Sequence, residues 1–355
     1  MSTTAPLGAQ QVTAVVTPSV RAKWIYSLPV DVALAFLWVP FALAAHLLET
    51  NPHALQRLVG LVFLISFAHQ PLTLALVYGD EAQRSARPRL YRWTPLAAAA
   101  LIFVGLRVSL VAVAVIAGLW NAEHTLMQRY GLTRLYGRKA GDDNGRLEKA
   151  MIVSWLAIAL LAAGGFLNLP HLADQIGMGA TNRRAINALH AIQPVARLLI
   201  VPVLLVSFAT ARRWLRAERS LGAAANPAKH VYLAATLGLV LTIVVDPIAG
   251  FAGYVASHAL EYFVIVHHSV SRRASSGDPS MLARSAATRP RRAALYGGYV
   301  AAIVALTAVT WNLWDGKTYS FAVLFFGALH IFYDGFVWKL RKPRLAASLG
   351  LPVTA

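Results

Sequence analysis

Long apolar runs recur along this chain. Each covers about 17–24 residues, and about 20 helical residues cross the roughly 30 Å hydrocarbon core of a bilayer. In lipid, backbone N–H and C=O groups have to be satisfied within the protein, so a helix bundle is the expected class. Composition agrees. Of 355 residues, 57% are hydrophobic and only 14% charged, with a mean hydropathy of +0.54. Soluble domains are less apolar than this.

The runs predict an all-α, polytopic transmembrane bundle of about ten spans, near 29–48, 55–78, 89–105, 108–130, 149–167, 193–210, 230–248, 250–269, 294–312 and 319–339. The stretch from Leu90 to Tyr130 reads either as one long helix or as two. It is divided at Gly105-Leu106-Arg107, because a charge in mid-membrane is costly. With that division the loops near Arg84/Arg87, Arg134/Arg138/Lys139, Arg212–Arg219 and Arg272–Arg292 fall on one side, joined by Lys339/Arg341/Lys342/Arg344. The positive-inside rule makes that side cytoplasmic and puts both termini there. Residues 1–28 read as a flexible cytoplasmic tail rather than a signal peptide, 29–340 as the transmembrane domain and 341–355 as a second tail. A bacterial inner membrane is the expected location. The formal net charge of +18 belongs to short loops, so it points to anionic lipid head groups and not to nucleic acid. Asp246-Pro247 is expected to make a tight external turn, and loop 168–192 is broken by Pro170, Gly177 and Gly179.

There is no cysteine, which excludes thiolate ligands, iron–sulfur clusters, disulfides and catalytic thiols. Histidine is the informative residue type. His69, His124, His258, His268 and His330 each lie in an apolar run, near the end leading into an Arg-rich loop. Ionisable groups inside a bilayer face the bundle interior and mark working sites. Imidazoles from several helices meeting at one depth suggest a metal or haem site.

The eighth span is the richest: Ser257-His258-Ala259-Leu260-Glu261-Tyr262, then His267-His268. At about 100° per residue, His258, Glu261 and His268 share an arc of about 80°. His267 points away, toward head groups. A His and a carboxylate at i, i+3 are spaced to ligate one metal or bridge two; the competing role is a His–Glu hydrogen bond between helices. The tenth span holds His330 and Asp334 at i, i+4, with Asp334 a ligand, an orienter of imidazole, or an interfacial partner of Lys339 or Arg341. In the fourth, His124 is the favoured ligand, Glu123 a neighbour or base, and Gly131 a C-cap. In the second, Pro71 kinks the helix beside His69, and Asp80 reads as a solvated loop residue.

The remaining histidines, His46, His53, His171, His190 and His230, read as interfacial. Tyr78, Tyr130, Tyr262 and Tyr333 fit an aromatic belt. Gly164-Gly165 and Gly297-Gly298 signal close packing at most. There is no GxGxxG, GxxxxGK[ST], GxSxG or HExxH, which leaves nucleotide enzymes and serine hydrolases without support.

Three functions compete. The favoured one is a membrane oxidoreductase with non-haem iron, mononuclear or dinuclear. Its ligands would be His69, His124, His258, Glu261, His268, His330 and Asp334, and Glu123, Glu261 and Asp334 its acid–base residues. An acyl or isoprenoid substrate would enter from the lipid and be hydroxylated, desaturated or cleaved with O₂, with an electron-donor protein as partner. In chemical class this resembles the histidine-rich membrane desaturases and hydroxylases. The shared features are His at the cytoplasmic ends of helices and the pair His267-His268. The HxxxH and HxxHH boxes of those enzymes do not occur here, so the resemblance assigns no residues. The second reading is a b-type haem protein held by paired histidines. The third is a proton-coupled transporter using His, Glu and Asp as a relay. On the favoured reading His258→Ala and Glu261→Ala both lose metal while the protein still inserts, and His171→Ala is nearly silent.

Overall fold

The computed structural model describes residues 23–142, 145–168, 170–171, 183–312 and 316–351; side chains at 110–111, 183–186, 188–190, 310–312 and 316–317 are not described. The first tail up to residue 22, the breakers Gly177 and Gly179, and the His190 side chain therefore lie outside the described residues. The described residues are helical with no strand. In chain order the helices are α1 (Leu28–Ala35), α2 (Val39–Leu47), α3 (Pro52–Tyr78), α4 (Glu81–Ser85), α5 (Pro88–Val108), α6 (Leu110–Lys139) and α7 (Gly145–Phe166). Then follow α8 (Arg183–Leu221), α9 (Pro227–Val245), α10 (Pro247–Ser275), α11 (Met281–Ser285), α12 (Arg289–Asn312), α13 (Gly316–Val337) and α14 (Pro343–Ser348).

Local sequence sets the helix starts. Asn51-Pro52, Asn226-Pro227 and Asp246-Pro247 share one signature: an Asx side chain accepts from the backbone at Ala54, Ala228 and Ala249, and the proline fills the first helical position, where no N–H is needed. The division between α5 and α6 falls at Ser109, just beyond Arg107. Its backbone is extended and its hydroxyl caps α6 through Ala112 N. Gly131 ends nothing. α6 runs on to Lys139, since Gly is tolerated inside a helix whose neighbours hold it.

Seven helices are long and apolar enough to cross a bilayer (α3, α7, α8, α9, α10, α12 and α13), and the bent pair α1–α2 would make an eighth. This is the signature of an integral membrane protein. α10 is the hub, packing against α2, α3, α6 and α9. In its most apolar window 72% is buried, against 6% for α12, which presents Val300 and Val304 outward. α13 packs on α3, α5, α6 and α12, so α3, α6, α10 and α13 surround one interior point.

Two glycines permit the closest approaches. A Cβ on Gly250 would stand 2.4 Å from Ile243 Cα across the α9–α10 turn, and one on Gly253 would stand 2.8 Å from Trp38 O where α10 meets the α1–α2 bend.

At the basic end, Lys229 is fully buried among Asp142 (2.6 Å), Glu148 (3.1 Å) and Glu218, with Arg134 on the Glu148 and Asp142 carboxylates. Asp80 is not solvated. It is 5% exposed, caps α4, and binds Arg273 (2.6 Å) and Arg344 (3.0 Å). Arg344 and Arg273 also hold Asp278. This clamp ties α14 to the ends of α3 and α10.

Candidate metal centre

Each of the four central helices contributes one imidazole: His69 from α3, His124 from α6, His258 from α10 and His330 from α13. All four are buried. Their ring centroids follow a closed circuit: His69–His330 4.6 Å, His330–His124 4.8 Å, His124–His258 5.1 Å and His258–His69 4.8 Å. Each of these neighbouring pairs meets nearly edge-on.

The nitrogens carry the argument. His330 Nε2 lies 3.1 Å from His69 Nε2 and 3.0 Å from His124 Nε2. A ring nitrogen has one hydrogen or one lone pair, so it makes one good hydrogen bond, yet here it has two nitrogen neighbours. The other side of the ring decides which it has. Thr73 Oγ1 donates to Asp334 Oδ1 at 2.9 Å and lies 2.7 Å from His330 Nδ1. With its only hydrogen on the carboxylate, Thr73 accepts from His330 Nδ1–H. His330 Nε2 is then the bare lone pair, aimed at two other imidazole nitrogens.

His258 sharpens the conflict: both of its ring nitrogens are buried without a hydrogen-bond partner, and so is His69 Nδ1. A buried unsatisfied nitrogen costs about 1–3 kcal/mol, and such groups are rare in native proteins. A cation against His330 Nε2, held with His69 and His258 or with His124 and Asp334, removes several of these costs together. At about 2.1 Å metal–nitrogen bonds, ligands at right angles stand about 3.0 Å apart, which matches the two Nε2 separations. The residues present therefore fit a metal ion. A porphyrin has no room between His330 and His69 or between His330 and His124, whose nitrogens stand about 3 Å apart.

Asp334 flanks the circuit. Its Oδ2 is 3.8 Å from His124 Nε2 and 3.9 Å from His330 Nδ1. Its Oδ1 receives Tyr262 OH at 2.9 Å, and Trp338 Nε1 supports Tyr262 at 3.3 Å. Tyr262 is thus no belt residue; it is 3% exposed and built into the site.

Two expected ligands stand elsewhere. Glu261 turns away from the imidazoles to Arg129 Nη2 (2.6 Å), Tyr232 OH (2.9 Å) and Gln128 Nε2 (3.3 Å). The reason is electrostatic. Arg129, 1% exposed, needs a counter-ion, and a buried carboxylate satisfied this way has no reason to seek a metal. His268 lies nearly three turns further along α10 than His258 and packs on the Tyr26 ring at 4.4 Å. Among the described residues neither belongs to a group able to surround one ion; the groups are His69/His258/His330, His124/His330/Asp334 and two outlying ones. Glu123 is exposed on α6, its side chain lining a cavity beside His124 rather than entering the circuit.

That cavity, about 970 Å³, runs between α6 and α13 and reaches His124, Tyr262 and Asp334. Of the other histidines, His46 pairs with Asp246 at 2.8 Å and His230 with Glu218 at 2.7 Å. His267 Nδ1 meets Tyr296 OH at 2.5 Å near the surface.

Linear pattern gave no sign of Thr73, Tyr262 or Trp338 as parts of this centre. Arg129 alone left a usable signal, since a carboxylate buried in a span requires a cation on a facing helix.

No protein-family model, curated protein or solved structure matches this chain.

Proposed function

We propose that this chain is a membrane oxidoreductase that holds one non-haem iron ion on His69, His258 and His330, with His124 and Asp334 beside it, and acts on a lipophilic substrate. The observation that carries the reading is the bare His330 Nε2 facing two imidazole nitrogens, beside a His258 with neither nitrogen bonded. A four-imidazole set with a nearby carboxylate and no thiolate suits iron, zinc or copper. Iron is favoured because apolar side chains line the cavity beside the histidines, and O₂ and lipid tails partition into such surroundings. Iron would supply O₂ activation. A single ion is favoured over two, since Glu261 and His268 are committed elsewhere.

The protein's own groups have separable tasks. Thr73 fixes the His330 tautomer. Asp334, held by Thr73 and Tyr262, presents Oδ2 at the centre, where it can hold or move a proton. Trp120, Met127, Ile331 and Phe332 give the cavity the walls an acyl or isoprenoid chain requires. Hydroxylation and desaturation would each draw two electrons from a donor protein, whereas cleavage of a double bond by O₂ would draw none.

The same reading takes the basic face as cytoplasmic, with both termini there. It counts ten spans by adding the α1–α2 pair, α5 and α6 to the seven, in a bacterial inner membrane. A proton-coupled transporter is less well supported, because the four histidines form a closed ring at one depth and not a relay along a path.

Elemental analysis and an absorption spectrum of the purified protein test this. About one iron per chain without a Soret band is expected, and His258→Ala should abolish it while the protein still inserts. A Soret band, or no metal in protein purified from iron-replete cells, rejects the proposal.

A further inference from the structure

The cavity that reaches His124 and Asp334 has an unequal charge distribution along its length. Its end nearer the imidazoles carries exposed Glu123 and buried Asp334; toward the basic face its walls carry Arg134, Arg138, Lys149, Lys339 and Arg341. Arg134 is committed to Glu148 and Asp142. For the other four, no carboxylate partner is found among the described residues. Arg138 donates to Leu340 O at 3.1 Å, Lys339 lies over the Phe336 ring at 5.1 Å, and Lys149 and Arg341 are exposed. The apolar walls are Met127 and Leu132 on α6 and, on the side of Asp334 away from the cations, Ile331 and Phe332 on α13.

Four cations with no carboxylate partner among the described residues, at the mouth of an apolar slot, make a receptor for an anion with a hydrocarbon tail. The positive-inside rule explains cations on this face but not their convergence on one cavity. We propose that the slot binds a single-chain amphiphile whose head is a carboxylate or phosphate, held by Arg138, Lys149, Lys339 and Arg341, with the chain running past His124 and Asp334. This deepens the oxidoreductase reading and rests on it for what becomes of the chain, though not for the binding itself.

The geometry also says where on the chain the centre would act. From His330 to the end of α13 at Val337 the helix rises about 10 Å, and Lys339 and Arg341 follow directly. A head anchored there sets His124, the one imidazole on the cavity wall, against the middle of an extended acyl chain, not beside its head.

The test uses the full-length protein and tryptophan quenching, since Trp120 and Trp338 line the cavity. Brominated stearate is compared with its methyl ester, and brominated lysophosphatidate with the matching monoacylglycerol. The charged member of at least one pair should bind about tenfold tighter, as expected for charge-assisted contacts worth roughly 1.5 kcal/mol. The pair that discriminates more identifies the head as carboxylate or phosphate. The advantage should shrink with added salt and vanish in Lys149→Gln/Arg341→Gln, both exposed positions, while Trp120→Phe removes part of the quenching. Equal binding within both pairs, or an unchanged double variant, overturns the proposal. Metal content measured on the same samples separates the two readings. Charge discrimination without metal sinks the oxidoreductase and keeps the amphiphile site; metal without discrimination does the reverse.

Discussion

His330 makes two demands of its surroundings. Its Nδ1 needs an acceptor and its Nε2 needs an electrophile, and Thr73 meets the first so that the second is left open. Thr73→Val keeps the shape and removes the acceptor. It should lower metal affinity about 10–100-fold, the usual cost of losing such a support, as read by chelator competition. Glu261 makes the opposite case. Glu261→Ala strands the buried Arg129 and should cost about 3–5 kcal/mol, seen as a lower Tm, while metal per folded molecule stays unchanged. Equal loss of metal in Glu261→Ala and His258→Ala would contradict this division. The difference was hidden in one dimension. Glu261 and His258 are three residues apart and share a face, so periodicity treats them alike; only the position of α6, with Arg129 one turn beyond His124, separates an ion pair from a ligand. His69, His124, His258 and His330 were legible because imidazole is rare and costly in apolar runs. Thr73 and Tyr262 were not, because a hydroxyl there is ordinary.

At the level of helices, hydropathy locates the rods and cannot bound them. α6 and α8 run well past the apolar stretches that announce them, to Lys139 and from Arg183; the extension of α6 is held by packing of Leu132, Leu135 and Tyr136 and by the ion pairs of Arg134, which hydropathy does not register. The close approach of α10 to the α1–α2 bend was likewise silent, since a glycine carries no record of what crosses it. Gly253→Ala would place a Cβ 2.8 Å from Trp38 O, a backbone atom that cannot yield. It should cost about 1–3 kcal/mol by overpacking and loosen the hub. Gly60→Ala, with open space around its Cβ, should be neutral or slightly stabilising. Thermal unfolding of the two variants side by side checks the contrast.

Across the molecule, the clamp of Asp80, Asp278, Arg273 and Arg344 holds the C-terminal helix on the basic face. Burial pushes the Asp278 carboxyl up, but hydrogen bonds from Ser280, Arg344 and Arg273 outweigh it and hold it below the usual carboxylate range. A carboxyl lowered on folding contributes stability that is complete above its unfolded pKa, about 3.9, and is lost as pH falls through the folded value. Protease access to α14 should therefore stay flat from about pH 8 to about pH 5 and rise only in stronger acid. Arg344→Ala should open it at neutral pH.

The four imidazoles come from helices spread from position 69 to position 330, so the ring closes only after α13, the last of the long helices, has left the ribosome. Until then the nascent chain carries an open ring that holds an ion weakly or not at all. On the proposed reading loading would be a late step of biogenesis, and an ion, once seated, would rivet together rods that entered the bilayer at different times.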